Sequence, residues 1–354
     1  MSNKLQSRLH FLSKLPPKKF WLEDLGLFPE STVLIVDKKL RDAPQVKSLA
    51  KIFNCIIYVS GGEKVKAFSE VERLAEKILD FKGLVQNVKQ MAIISIGGGS
   101  IGDAIGFLAS IYKRGVRWVN IPTTWLSVVD SAHGGKTAVN VKGLKNQLGQ
   151  FYSPSDVVIS QPLLSTLPKS LAMDAMGEVA KTVLLKPDDF KDLLLDRKPW
   201  TGDTIWKALP QLIDIKLDIV KQDPFEDKKI RYLLNWGHTF GHIFEGQLGK
   251  SHGQCVGQGL LYEIYLSHLM GKLSESEVDR YFRILNESFS IKPEKWASSL
   301  SKSKFLRWAK NDKKANSEDK VNIVIAKNQA KFMVVPISVD SLWDTYKNFT
   351  SGHF

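Results

Sequence analysis

MAIISIGGGSIGDAIGFLASIYKRGVRWVNIPTT, residues 91–124, is the stretch that decides the fold. It opens with a strand-sized apolar run, MAIISI (91–96), and turns through three glycines. Apolar residues then recur at helical spacing from Ile101 to Tyr112, and a second strand-like run follows, RWVNIPT (117–123). Strands separated by a helix argue for a parallel sheet with helices on its faces. Within GGGSIGD (97–103), Gly97, Gly99 and Gly102 satisfy G-x-G-x-x-G. Missing side chains there let backbone N–H groups approach a pyrophosphate at a helix N-terminus. A tight strand–helix turn explains the same glycines. The usual dinucleotide fingerprint also lies in the first βα unit with an acid about 20 residues on. Here two strands precede it, so the domain is expected to be Rossmann-like rather than a standard Rossmann domain.

Working outward, STVLIVD (31–37) and FNCIIYVS (53–60) read as strands and 67–85 as a helix. Beyond about residue 160 helical patterns dominate, over 171–185, 204–222, 228–247, 255–272 and 275–287, punctuated by Pro187, Pro199, Pro210 and Pro224. VNIVIA (321–326) and KFMVVPI (331–337) form an expected β-hairpin. The expected fold is α/β: a Rossmann-like parallel-sheet nucleotide-binding domain over 1–160, then a mostly α-helical metal- and substrate-binding domain over 161–354. A cleft is expected between them.

The length of 354 residues fits two domains, and 43% hydrophobic with 25% charged residues is ordinary for a globular protein. Apolar runs are strand-sized, far below the ~20 residues that span a bilayer. The basic opening stretch (Lys4, Arg8, Lys14, Lys18, Lys19) has no apolar run behind it, which disfavours a secretory signal. Cys55 and Cys255 are distant in sequence and sit in apolar surroundings, as in a reducing, cytoplasmic compartment. The net charge of +13 favours anionic partners such as phosphorylated metabolites. Most bases alternate with acids and no nucleic-acid-binding signature occurs, so neither nucleic acid nor membrane is an expected partner.

HTFGH (238–242) places His238 and His242 one turn apart on a helix, a spacing that suits joint metal ligation. The Glu of H-E-x-x-H is absent, which excludes that class of metalloprotease. His252 follows in SHG, and GEVAK (177–181) holds Glu178 with Lys181 one turn later. Spacing alone leaves four candidates, Glu178, His238, His242 and His252, for a site that needs three protein ligands and an open position. DSAHGGKTAVN (130–140) and LKN (144–146) add Lys136, Lys145 and Asn146 near a Gly-Gly pair. Such donors suit phosphate or carboxylate binding. An ordinary polar turn has the same composition.

Together, GGEKVK (61–66), GGGSIGD, YKRGVRWVNIPTT (112–124), VDSAHGGKTAVN (129–140), KNQLGQFYSP (145–154), GEVAK, RYLLNWGHTFGH (231–242) and HG (252–253) resemble the 3-dehydroquinate synthase family of sugar phosphate cyclases. The resemblance runs in order from about Val33 to Ala326. It implies metal ligation by Glu178, His238 and His252, usually of zinc and also of cobalt, and assigns His242 to substrate phosphate. It groups Lys136, Asn146, Lys181, Asn235 and His242 at the phosphate end and Lys216 and Arg231 near the substrate carboxylate. Asp130 matches a polar position and Lys314 a late lysine of the same pocket. For NAD it implies Asp37, Glu63, Lys66, Gly98, Gly99, Asp103, Thr123, Thr124 and Lys145, with Leu163 to Thr166. It also implies a homodimer in which Arg114 reaches the partner's phosphate.

Some features depart from the family pattern. The chain before residue 31 does not resemble the family's opening strands, and Gln254, Trp236 and His133 replace more usual residues. DPFEDKKIR (223–231) has one residue more between Asp223 and Arg231 than the family pattern, which leaves both Glu226 and Asp227 as candidates for an acidic position.

The implied activity converts 3-deoxy-D-arabino-heptulosonate 7-phosphate to 3-dehydroquinate and phosphate. Transient oxidation by NAD acidifies a neighbouring carbon, phosphate is eliminated, hydride returns, and an intramolecular aldol closes the ring. A lysine- and arginine-rich pocket suits a substrate carrying phosphate and carboxylate. The alternatives are another sugar phosphate cyclase, such as an aminodehydroquinate synthase, and a metal-dependent polyol dehydrogenase that accumulates NADH. A basic pseudoenzyme that binds nucleic acid is the reading outside catalysis.

Overall fold

The computed structural model describes residues 7–85, 87–311, 320–328 and 331–352. The chain divides into two compact units, one ending at Pro168 and the other beginning at Lys169.

The first unit is built on β1 (Arg8–Leu12), β2 (Thr32–Asp37), β3 (Cys55–Val59), β4 (Ala92–Gly97), β5 (Arg117–Pro122) and β8 (Asp156–Ser160). These form one parallel sheet in the order β1-β8-β5-β4-β2-β3. The α/β expectation therefore holds. Helices α1 (Pro44–Ala50), α2 (Phe68–Leu79), α3 (Gly99–Ile111) and α4 (Gln161–Leu164) complete this unit's α-helices. Strand β2 shows why its apolar run is continuous rather than alternating. Val33 and Ile35 pack with Leu74 of α2 and Ile105 of α3, whereas Leu34 and Val36 pack with Trp21 and with Val46 of α1. Both faces are covered, as parallel sheets require.

The strand order places a reversal at β2. The chain runs from β2 out to β3, then returns to the other side of β2 with β4 and proceeds to β5. Ligands of open α/β sheets bind outside the carboxyl ends of strands at such a switch point. The glycine turn after β4 lies there, beside the end of β2, because Val36 pairs with Ile96. The stretch that the sequence leaves open between an anion-binding site and a polar turn is an antiparallel hairpin packed on α3: β6 (Lys136–Val141) and β7 (Leu144–Phe151), with an irregularity between Val139 and Val141.

The second unit is mostly helical, with α5 (Lys169–Leu185), α6 (Lys191–Leu195), α7 (Gly202–Gln222), α8 (His238–Leu248), α9 (His252–Leu269), α10 (Glu275–Phe289), α11 (Lys302–Asn311) and α12 (Val339–Thr350). The expected hairpin is present as β9 (Lys320–Lys327) and β10 (Lys331–Ser338). Helix α9 is its spine, buried continuously from Cys255 to Ser267. Glycines let its neighbours come close. A Cβ on Gly253 would lie 1.4 Å from the Asp174 carbonyl of α5, and one on Gly259 1.9 Å from the Gly237 carbonyl before α8.

One helix expectation needs correction. The helix expected over 228–247 is broken: a 3-10 turn covers Arg231–Asn235, a turn follows at Trp236 and the left-handed Gly237 (φ 78), and α8 starts only at His238. The helix expected over 204–222 is present as α7, with Pro210 inside it. Among the described residues no helix is long and apolar enough to cross a membrane.

Candidate active site

The second unit brings three chemistry-bearing side chains together from three helices. Glu178 belongs to α5, His238 begins α8 and His252 begins α9. Two of the three stand next to the close helix contacts: Gly237 precedes His238, and Gly253 follows His252. The Nε2 atoms of His238 and His252 lie 3.1 and 3.0 Å from the same oxygen, Glu178 Oε1. One ligand atom from each residue falls within 4.8 Å of the other two.

The far sides of both rings are also engaged. His252 Nδ1 is 2.9 Å from Glu245 Oε2, and His238 Nδ1 is 3.3 Å from the Trp236 carbonyl. Such partners orient a metal-binding imidazole and leave Nε2 for the ion. Two imidazoles and one carboxylate converging on a point fit a divalent zinc-type ion with one position left open. His242 is not part of this set; its ring centroid is 5.4 Å from that of His238 and 6.4 Å from that of His252.

The electrostatics follow from burial and from Lys181. Burial alone would raise the Glu178 carboxyl, but the Lys181 ammonium and His238 hold it well below the usual carboxylate range. Burial keeps His238 below its ordinary value in spite of Glu178. For His252, burial is outweighed by Glu178 and Glu245, which push it up to about 10. Lys181 is buried, ion-paired to Glu178 Oε2, and donates to the Leu234 carbonyl at 2.8 Å. That bond fixes the turn holding Asn235.

Arg231 opens the same turn. Its backbone N–H and that of Lys228 donate to the two oxygens of Asp223 at 3.0 and 3.1 Å. Burial would raise the Asp223 carboxyl, but these N–H groups hold it down to about 2. The loop between adopts left-handed backbone at Glu226 (φ 66) and Lys229 (φ 63). The acid that organises this loop is thus Asp223. Lys216, on α7, is buried. Lys314 lies outside the described residues.

The first unit gathers a second group. Gly98 caps α3, whose first turn presents its N–H groups at the switch point. A Cβ on Gly99 would lie 2.6 Å from Ser131 Oγ, so a larger residue there would displace that side chain. Lys66 is buried and donates to Asp103 Oδ2 at 2.7 Å and to Asn146 Oδ1 at 2.6 Å. Burial raises the Asp103 carboxyl more than Lys66 lowers it. Asn140 joins the group, donating to Glu63 at 2.8 Å and accepting the Asn146 N–H at 2.9 Å. The left-handed backbone of Asn146 (φ 53) aims its side chain at Lys66.

Asp37 ends β2 and accepts the Lys39 N–H at 3.0 Å. Thr123 is tied to β4 through its N–H and the Gly97 carbonyl, and Thr124 bonds to Ser127. Asp130 lies in the π-helix Ser127–Ser131, while Lys136 and Lys145 are exposed on the β6–β7 hairpin. Leu163 is buried, and Thr166 is exposed and donates to the Leu163 carbonyl. Arg114 is exposed at the turn after α3. Sequence reading missed Glu245, Asn140 and Asp223, because each acts on another residue through a contact that no spacing reveals.

A parallel-sheet unit with an anion-ready glycine turn at its switch point, followed by a helical unit holding a carboxylate and two histidines, defines an architecture shared with solved metal- and NAD-dependent enzymes. The structure of 2-deoxy-scyllo-inosose synthase complexed with carbaglucose-6-phosphate, NAD+ and Co2+ matches with a TM-score of 0.80 at 23% identity, covering 96% of each chain. The valiolone synthase ValA from Streptomyces hygroscopicus, with NAD+ and Zn2+ bound, matches at 0.76 and 20% identity, over 99% of this chain and 98% of the other. These likenesses establish the fold.

The family follows from sequence. The 3-dehydroquinate synthase N-terminal model matches residues 56–174 and the C-terminal model residues 175–315. The 3-dehydroquinate synthase of Shewanella piezotolerans is 35% identical over 280 residues, covering 76% of each chain. The chain belongs to the 3-dehydroquinate synthase family.

Proposed function

We propose that the chain converts 3-deoxy-D-arabino-heptulosonate 7-phosphate to 3-dehydroquinate and inorganic phosphate, using NAD catalytically and one divalent metal, zinc foremost and cobalt as a substitute. The observation that carries this reading is the meeting of Glu178, His238 and His252, with Lys181 beside them, in a chain that both family models match. Glu178, His238 and His252 would hold the metal. Asp37, Glu63, Lys66, Gly98, Gly99, Asp103, Thr123, Thr124 and Lys145, with Leu163 and Thr166, would hold NAD. When bound, the metal polarises hydroxyl oxygens and the nicotinamide takes up and returns a hydride.

The chain's own residues bind and orient. Lys136, Asn146, Lys181, Asn235 and His242 are assigned to the phosphate end and Lys216 and Arg231 to the carboxylate end. Asp130 and Lys314 complete the set. Cationic donors strengthen as charge concentrates on the departing phosphate, which favours elimination over mere binding. The solved inosose synthase, bound to a sugar-phosphate analogue, supports this substrate class. Cys55 and Cys255 are buried and form no disulfide, which suits the cytoplasm. The test offers purified, metal-loaded protein the heptulosonate phosphate, its amino analogue and glucose 6-phosphate, and follows phosphate release. Release from the heptulosonate alone is expected. Preference for either of the others transfers the chain to a different cyclase activity.

The reading includes a homodimer in which Arg114 serves the neighbouring site. Lys113 (φ 48) and Arg114 (φ 69) are both left-handed before Gly115, a costly turn to keep on an exposed surface without a purpose. Mixing Arg114→Ala with His238→Ala subunits, each inactive alone, should restore activity once subunits exchange. Exchange without recovery rejects the shared site.

A further inference from the structure

Glu263 lies about three turns along α9 from His252, and its side chain is fully buried. Its Oε2 accepts the Gly237 N–H at 2.7 Å, and its Oε1 accepts the N–H groups of Thr239 at 3.0 Å and Phe240 at 3.4 Å. These donors surround the start of α8, the helix that His238 opens. The first N–H groups of a helix have no partner inside it and are usually taken by a Ser, Thr, Asp or Asn at the N-cap. Here the N-cap is Gly237, which has no side chain to offer, and a Cβ there would lie 2.9 Å from both the Val256 carbonyl and Leu260. The cap is supplied from a different helix instead. Burying a carboxylate is costly unless it is hydrogen-bonded. Three N–H donors at the positive end of a helix meet that requirement.

One helix thus reaches both histidines. His252 stands at the start of α9, and Glu263 on the same helix grips the turn that carries His238. The height and rotation of that turn set where His238 Nε2 falls relative to Glu178 on α5.

We propose that Glu263 is a positioning residue for the metal site, holding His238 in ligating register through the first turn of α8. The inference rests on the reading of Glu178, His238 and His252 as a metal site. Both are tested on the full-length chain with metal alone, without substrate. Glu263→Gln keeps the shape but puts an N–H2 where one acceptor stood. It should fold cooperatively with a lowered Tm, bind Zn2+ about 10–100-fold more weakly, as expected on loss of an outer partner of a ligand, and show an altered visible spectrum when loaded with Co2+. Glu263→Asp, which retains both oxygens on a shorter arm, should recover part of the affinity. Ser274→Ala, which removes the cap of α10, should lower Tm without changing either metal readout.

Metal affinity and Co2+ spectrum unchanged in folded Glu263→Gln would overturn the proposal and leave Glu263 a stabilising cap only. If the Gln variant does not fold, Glu263→Asp is measured in its place, and wild-type affinity there overturns the proposal equally. Failure of the wild-type chain to bind Zn2+ or Co2+ rejects the metal site itself, an outcome distinct from the others.

Discussion

Replacing His238 and His242 one at a time separates a ligand from its neighbour on the same helix. His238 Nε2 lies 3.1 Å from Glu178 Oε1, within the set of atoms that converge, whereas His242 stands outside that set. Zinc held by protein side chains near neutral pH is bound by about 10–16 kcal/mol in structural sites. Shared among three ligands, that is about 3–5 kcal/mol each, or on the order of 10²–10⁴-fold in affinity. The Lys181 ammonium already opposes a cation beside Glu178, so little reserve remains when one ligand goes. His238→Ala should therefore lose about 10³-fold in Zn2+ affinity and all phosphate-releasing activity. His242→Ala should stay within about threefold in affinity, as expected where no ligand is lost, while its turnover collapses. Competition against a chromophoric chelator reads the first quantity and phosphate release the second. Equal metal loss in the two variants would refute the ligand assignment.

Three further outcomes follow from the fold. Asp156 is buried against Arg8, His10, Arg117 and Ser155, which together hold its carboxyl well below the usual range in spite of burial. Its folded-state value is depressed, so the stabilisation is full above about pH 4 and is lost as pH falls. Asp156→Asn should cost about 2 kcal/mol at neutral pH, with the gap to wild type closing in acid; denaturation curves with a constant gap across pH would contradict this. Gly253→Ala forces α5 and α9 apart, since the new carbon would meet the Asp174 carbonyl at 1.4 Å. It should destabilise by about 3 kcal/mol or more and weaken zinc binding, and a calorimetric Tm equal to wild type would disprove the packing argument. Cys55, pushed up to about 12 by burial, and the buried Cys255 should both resist a thiol reagent until the chain is unfolded; rapid native labelling of either would contradict their burial.

Much of the architecture could be read from the chain because local pattern and tertiary role agree there. β2 and β4 are nearly continuous apolar runs since both faces of the sheet are covered. What sequence reading lost has physical causes. The helix expected over 228–247 carries the right periodicity, but the left-handed Gly237 and the turn held by Asp223 interrupt it. The β6–β7 hairpin escaped because its outer strand is largely exposed and polar, giving no hydrophobic alternation to read. Type and spacing marked Glu178, His238, His242 and His252 as four candidates, and only the family resemblance set His242 apart. Their supports, Glu245 behind His252 and Glu263 beneath His238, come from positions where an acid carries no signature.

The most direct test of the central claim is the stoichiometry of one reaction mixture. Zinc-loaded protein receives the heptulosonate phosphate in excess and NAD at no more than the enzyme's concentration, with phosphate release and NADH fluorescence followed together. Many phosphates released per NAD, with NADH reaching only a small steady level, is the expected result. NADH rising in step with turnover until NAD is exhausted, with no phosphate released, would contradict it and make the chain a dehydrogenase.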